Sequence, residues 1–161
     1  MAPETQTATA RRPHPARAAV PQGKALSDFG DAAGFAAMRA AYHRKGGLAR
    51  GDDLGHLLED RARGDFVSLA RLIVAGEVFG FEWRHGIWIP LFQFDLEDLS
   101  IRPGLRPVLV ELASEFDGWR LAAWFVEPNA WLDGALPIDL MDSKLSDVVQ
   151  AARADRFVAT G

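Results

Sequence analysis

Cysteine is absent from the 161 residues, which excludes a disulfide framework, a thiol nucleophile and a thiolate zinc site. Long apolar runs are missing too. No eighteen consecutive apolar residues occur, so no membrane span is expected, and the opening stretch lacks the apolar segment of a secretory signal. These absences imply a cytoplasmic setting. No aromatic residue precedes Phe29, and Pro3, Pro13, Pro15 and Pro21 punctuate the same stretch. Residues 1–27 therefore read as a disordered basic tail with too little apolar surface to offset its ordering entropy.

Signatures of catalysis are scarce as well. There is no G-x-S-x-G elbow, and Gly23-Lys24 lacks the upstream Gly and following Ser/Thr of a phosphate loop. His14, His43, His56 and His85 fall on four separate segments. His56, Glu59 and Asp60 have ligand-like i, i+3, i+4 spacing, but beside Arg61 and Arg63 they read as a salt-bridging helix face. Arg50-Gly51-Asp52 and Arg63-Gly64-Asp65 read as turn-and-cap signals. The acidic stretches 95–98 and 139–142 would serve a hydrolase only if two carboxylates faced each other across a cleft, which spacing cannot show. The reading is non-enzymatic, with no catalytic residue, cofactor or metal.

What is present is an ordinary globular composition, 48% hydrophobic and 25% charged, with an uneven charge. Residues 1–50 carry eight Lys/Arg against three Asp/Glu, and residues 51–161 carry ten against nineteen. A basic front (+5) and an acidic back (−9) point to partners of two kinds, or to a basic tail on a solvated surface.

Periodicity predicts a mainly α fold with one β-hairpin. Ser27-Asp28 or Asp31 caps a first helix with Phe35, Met38 and Tyr42 in register, stopped at Gly46-Gly47. A second helix starts at Asp52 or Asp53, with Leu54, Leu57 and Leu58 on one face. Asp65 caps a third, carrying Phe66, Leu69, Leu72 and Ile73 and ending at Gly76. Residues 77–83 and 87–94 are rich in β-branched and aromatic types, joined by a three-residue turn with Gly86 at its left-handed position, and Pro90 either confines the second strand to an edge or ends its regular pairing early. Beyond Pro103 the chain is helical again. Leu105, Leu109, Leu112 and Phe116 form one stripe; Trp119–Val126 form a short apolar helix; Asn129 caps a turn; Pro137 opens another; and Ser143 starts a last helix that leaves Arg156-Phe157-Val158 as a tail. The expected domains are the tail 1–27, a winged helix-turn-helix-like module with hairpin at 28–100, and a small helical bundle at 101–161.

Two surfaces invite a functional reading. In a winged helix-turn-helix the second helix of the pair enters the major groove and the hairpin touches the backbone, which selects Ser68, Arg71, Arg84 and His85. Residues 51–95 carry four Arg against eight Asp/Glu, so only weak DNA binding is expected. All five tryptophans lie between 83 and 131. Trp119 and Trp124 read as core, and Trp131, in a turn between Pro128 and Gly134, as an interface residue.

Trp88-Ile-Pro90-Leu-Phe92-Gln93-Phe94 leads to Trp124-Phe125-x-x-Pro128-Asn129-x-Trp131-Leu132-x-Gly134-x-x-Pro137-Ile138-Asp139-Leu140. From about residue 86 to 157 the chain resembles the toxin-binding domain of the Xre/MbcA/ParS antitoxins of bacterial type II toxin–antitoxin systems. The resemblance implies a non-enzymatic protein that covers the active site of a RES-like, NAD-destroying toxin, commonly as a homodimer. It puts weight on Pro128, Leu132, Gly134, Pro137, Asp139 and Leu140. Trp131, Arg156 and Phe157 join them as expected toxin contacts, because an exposed apolar group beside an Arg has the composition of an anchor. The alternative is a DNA-binding regulator whose C-terminal domain only dimerises.

Overall fold

The computed structural model describes residues 31–61 and 68–161. Asp31 starts α1 (Ala32–Tyr42): its side chain accepts from the Gly34 N–H at 2.8 Å, satisfying one of the orphan donors of a helix start. Phe35, Met38 and Tyr42 are buried, as their spacing predicts. A 3-10 turn (His43–Lys45) ends at Gly46, whose φ of 91° only glycine adopts readily. β1 (Leu48–Arg50) then runs directly into α2 (Gly51–Arg61). In α2, Leu54 is buried and Leu58 half-buried, but Leu57 is exposed, so the expected three-leucine face is narrower. The expected Asp65 cap, with Phe66, lies outside the described residues. The described part of α3 (Leu69–Val74) has Ser68 at its N-cap.

Three expectations about the sheet need correction. The strands are β2 (Phe81–Trp83) and β3 (Gly86–Pro90), shorter than 77–83 and 87–94. Residues 77 and 78 instead close α3, their N–H groups donating to the Leu72 carbonyl, and Leu91–Gln93 form a 3-10 turn. The hairpin loop has two residues, with Trp83 opposite Gly86. Its left-handed positions are Arg84 (φ 45°) and His85 (φ 53°), not Gly86. Finally, β3 is the central strand in the order β1-β3-β2. The edge reading of Pro90 therefore falls, and its alternative holds: Pro90 is the last residue of the strand, opposite Leu48, and the regular pairing ends there. β1 was not expected, since three residues, Leu-Ala-Arg, carry no readable alternation.

The C-terminal half consists of α4 (Leu105–Leu112), α5 (Gly118–Val126), a 3-10 turn (Ala130–Leu132), α6 (Pro137–Leu140) and α7 (Leu145–Thr160). Asp117 caps α5 by accepting from the Arg120 N–H, Asn129 caps the 3-10 turn, and Pro137 takes the first position of α6. Two further corrections fall on α7. It begins at Leu145 rather than Ser143, and residues 156–158, expected as a tail, are helical.

One buried cluster runs from Phe35 to Ala152 and crosses residue 100 without a break. Phe125 of α5 stacks on Phe79 (5.6 Å between centroids) and meets Phe92 at 4.9 Å. A Cβ on Gly118 would lie 2.0 Å from the Gly80 carbonyl oxygen, so α5 seats backbone to backbone on the start of β2. The fully buried Gln93 binds the same corner: its amide accepts from the Phe79 N–H and donates to the Phe79 and Pro90 carbonyls, at 2.8–2.9 Å. The Phe-Gln-Phe motif is thus a structural clasp. Its polar centre satisfies backbone groups that would cost roughly 1–3 kcal/mol each if left unpaired.

Candidate protein-binding site

Asp155 organises the C-terminal end. It follows Val148 and Ala151 in the inward register of α7, a place where an apolar residue is expected. Its carboxylate accepts from Trp124 Nε1 (2.7 Å), Asn129 Nδ2 (2.7 Å) and Trp131 Nε1 (2.9 Å). Three N–H donors of two separate elements converge on one charge. The turn at 129–132 is thereby tied to α7, and Asp133 (φ 55°) and Gly134 (φ 81°) carry it back toward α6 in the left-handed region. The motif itself gave no hint of Asp155; the available signal was a carboxylate in an apolar register.

Trp131 is 60% exposed although both its N–H groups are engaged, the backbone one by Asn129 Oδ1 at 2.9 Å. Its ring is held in place while its apolar face remains open. Trp131, Leu132 and Leu140 border one shallow hollow of about 230 Å³ against α7. Leu132 and Pro137 are buried and support the turn rather than present a surface. Asp139 is directed away, to an ion pair with Lys45 at 2.8 Å.

The last turns of α7 carry the remaining residues. Arg153 donates through Nε and Nη2 to Glu111 Oε1 at 3.1 and 2.8 Å. Arg156 Nη1 stands 2.8 Å from Oε2, an ionic contact without hydrogen-bond alignment. The Arg153 hydrogen bonds hold the Glu111 carboxyl below the usual carboxylate range against the opposing effect of burial, and the two positive charges add to this. Arg156 is therefore partly committed inside the chain. Phe157 and Val158 stay 71% and 70% exposed, the Phe157 ring meeting the Arg156 guanidinium at 6.0 Å. Val158, three residues after Asp155, lies on the Trp131 side of the helix, and Phe157 projects from the other side.

The expected DNA contacts are distributed differently. Ser68 is taken up as the cap of α3, its hydroxyl accepting from the Arg71 N–H at 3.3 Å. Arg71 is exposed, and Arg84 lies 4.5 Å above the Trp83 ring at the hairpin tip beside His85. His56 Nδ1 stands 3.6 Å from Glu59, and among the described residues no group of three His, Asp or Glu could hold a metal ion. Nor is any described helix long and apolar enough to cross a membrane.

The fold defined by these elements is mainly helical with a small three-stranded antiparallel sheet. Compared with protein-family models, curated proteins and solved structures, the chain matches none of them.

Proposed function

We propose that the protein is the antitoxin of a bacterial type II toxin–antitoxin pair. In this reading it is a cytoplasmic, non-enzymatic chain that binds and sterically occludes a RES-like, NAD-consuming toxin. The observation that carries the proposal is the protruding end of α7. Two apolar side chains, Phe157 and Val158, stand in water about 100° apart around the last turns of the helix, Val158 on the side of a Trp131 whose orientation is already fixed. Anchors of this kind bind at low entropic cost because little ordering remains to be done. A projecting helix end suits insertion into a pocket better than contact with a flat surface. The Xre/MbcA/ParS-like motif at 124–140 builds the turn that holds Trp131, and so supplies the choice of toxin class.

The test is co-expression with the product of the neighbouring frame, which this reading expects to be a RES-type toxin. Truncation must follow Arg156, because a cut before it breaks the ion pair with Glu111 and a cut before Asp155 also releases the turn. The truncated chain is expected to stay folded and to lose protection against the toxin. Phe157→Ala is expected to weaken the complex by about 2 kcal/mol or more, roughly thirtyfold. Full protection by the folded truncation, or no complex with such a toxin, overturns the reading.

A second reading has one observation in its favour: α2 and α3 precede the hairpin in the order of a winged helix-turn-helix. A regulator of that kind would bind its own promoter tightly at physiological salt in an Arg71-dependent manner.

A further inference from the structure

A cleft of about 660 Å³ lies between α2, the first turn of α3 and the β2–β3 hairpin. Its floor is apolar: Leu69, Ile73 and Ile87, the last 45% exposed although it belongs to the central strand. Its rim carries Asp52, Glu59 and Glu82, and none of the described lining residues is Lys or Arg. Glu59 stands 3.6 Å from His56, and neither Asp52 nor Glu82 forms an ion pair among the described residues. On the α2 side Gly55 leaves open space where a side chain would stand, so a backbone can approach closely. An occupant must be narrow, partly apolar and cationic.

We propose that this cleft is the docking site of the chain's own residues 5–27. Two observations select that segment. First, charge: it holds Arg11, Arg12, Arg17 and Lys24 with no carboxylate, and Val20 and Leu26 can cover the apolar floor. Four cations meet three rim carboxylates, whereas a nucleic acid would meet charge of its own sign. Second, position: Asp31, where the described chain begins, borders a hollow of about 540 Å³ that shares Glu82, His85 and Gly86 with the cleft. The segment is therefore tethered, through Asp31, next to the cleft's hairpin side. Lys24, seven residues before Asp31, can reach up to about 25 Å from it, and Arg17 farther still. Docking in cis thus needs no rearrangement of the described fold. The proposal is independent of the α7 surface.

The test uses the full chain. Since it has no cysteine, Ala18→Cys provides a single thiol for a nitroxide spin label. At low ionic strength, amide signals of Gly55, Ile73 and Ile87 are expected to be lost by relaxation, while that of the exposed Val110 on α4 is retained. High salt, or the pair Glu59→Gln and Glu82→Gln, is expected to restore them, because surface attraction is screened or removed. Both glutamates are exposed, so the pair leaves the core untouched. Signals unaffected at the cleft, lost evenly over the surface, or still lost in the Gln pair overturn the proposal. Loss in isotope-labelled wild type mixed with unlabelled spin-labelled chain assigns the contact to a second copy and overturns docking in cis.

Discussion

Tyr42 is the only tyrosine of the chain, and its hydroxyl is buried, donating to the Ala122 carbonyl at 2.7 Å across the two halves. Burial raises its pKa well above the ordinary value of 10.0. The folded state favours the neutral phenol, so its contribution to stability is complete below the unfolded value. It is lost as pH rises above that value toward the folded one. The expected outcome is alkaline unfolding in which phenolate absorbance and loss of helical circular dichroism rise together. A phenolate signal that precedes unfolding would show the hydroxyl to be accessible. Tyr42 was readable from its place in the α1 register; its partner, a main-chain carbonyl eighty residues away, was not. The same holds for Asp155 and Gln93, whose polar groups are explained only by the donors and acceptors that converge on them.

Among the elements, the hairpin carries the clearest local tension. Arg84 and His85 both occupy left-handed backbone, where a two-residue loop favours Asn-Gly. Such residues cost of order 1–3 kcal/mol each, and the stacking of Arg84 on Trp83 returns part of that. Replacing Arg84→Asn together with His85→Gly is expected to raise stability by about 1 kcal/mol, read as a higher urea midpoint at unchanged slope. A lower midpoint would mean that the tip's side chains hold the hairpin in place. α7 shows a different balance. Its sequence past Ala154 reads as a tail because the inward apolar stripe ends there, yet the helix continues to Thr160. Asp155, Arg153 and Arg156 substitute hydrogen bonds and ion pairs for the missing apolar contacts.

At the scale of the molecule, the boundary expected at 100/101 falls inside a continuous core. Phe125 packs on Phe79 and Phe92, Gly118 on Gly80, and Lys45–Asp139 and Arg106–Glu77 join the halves at the surface. Residues 101–161 alone would expose the apolar faces of α5 and leave the Tyr42 and Phe79 contacts unmade. That fragment is expected not to unfold cooperatively, whereas the whole chain loses fluorescence and helical signal in one coincident transition. A fragment with its own sharp transition would establish two independent domains.

The sequence by itself determined the helix registers, most of the caps and stops, and the presence of a hairpin. Those depend on interactions within a few residues: Asp31 and Asn129 reach N–H groups three and two positions on, and Gly46 and Gly76 adopt φ values that end a helix locally. Only the tertiary structure decided that β1 exists, that β3 is central, that the core spans both halves, and which side chains remain in water. A three-residue strand is stabilised by its partner, not by its own pattern. Likewise, the exposure of Phe157 depends on how far α7 extends beyond the core against which it packs.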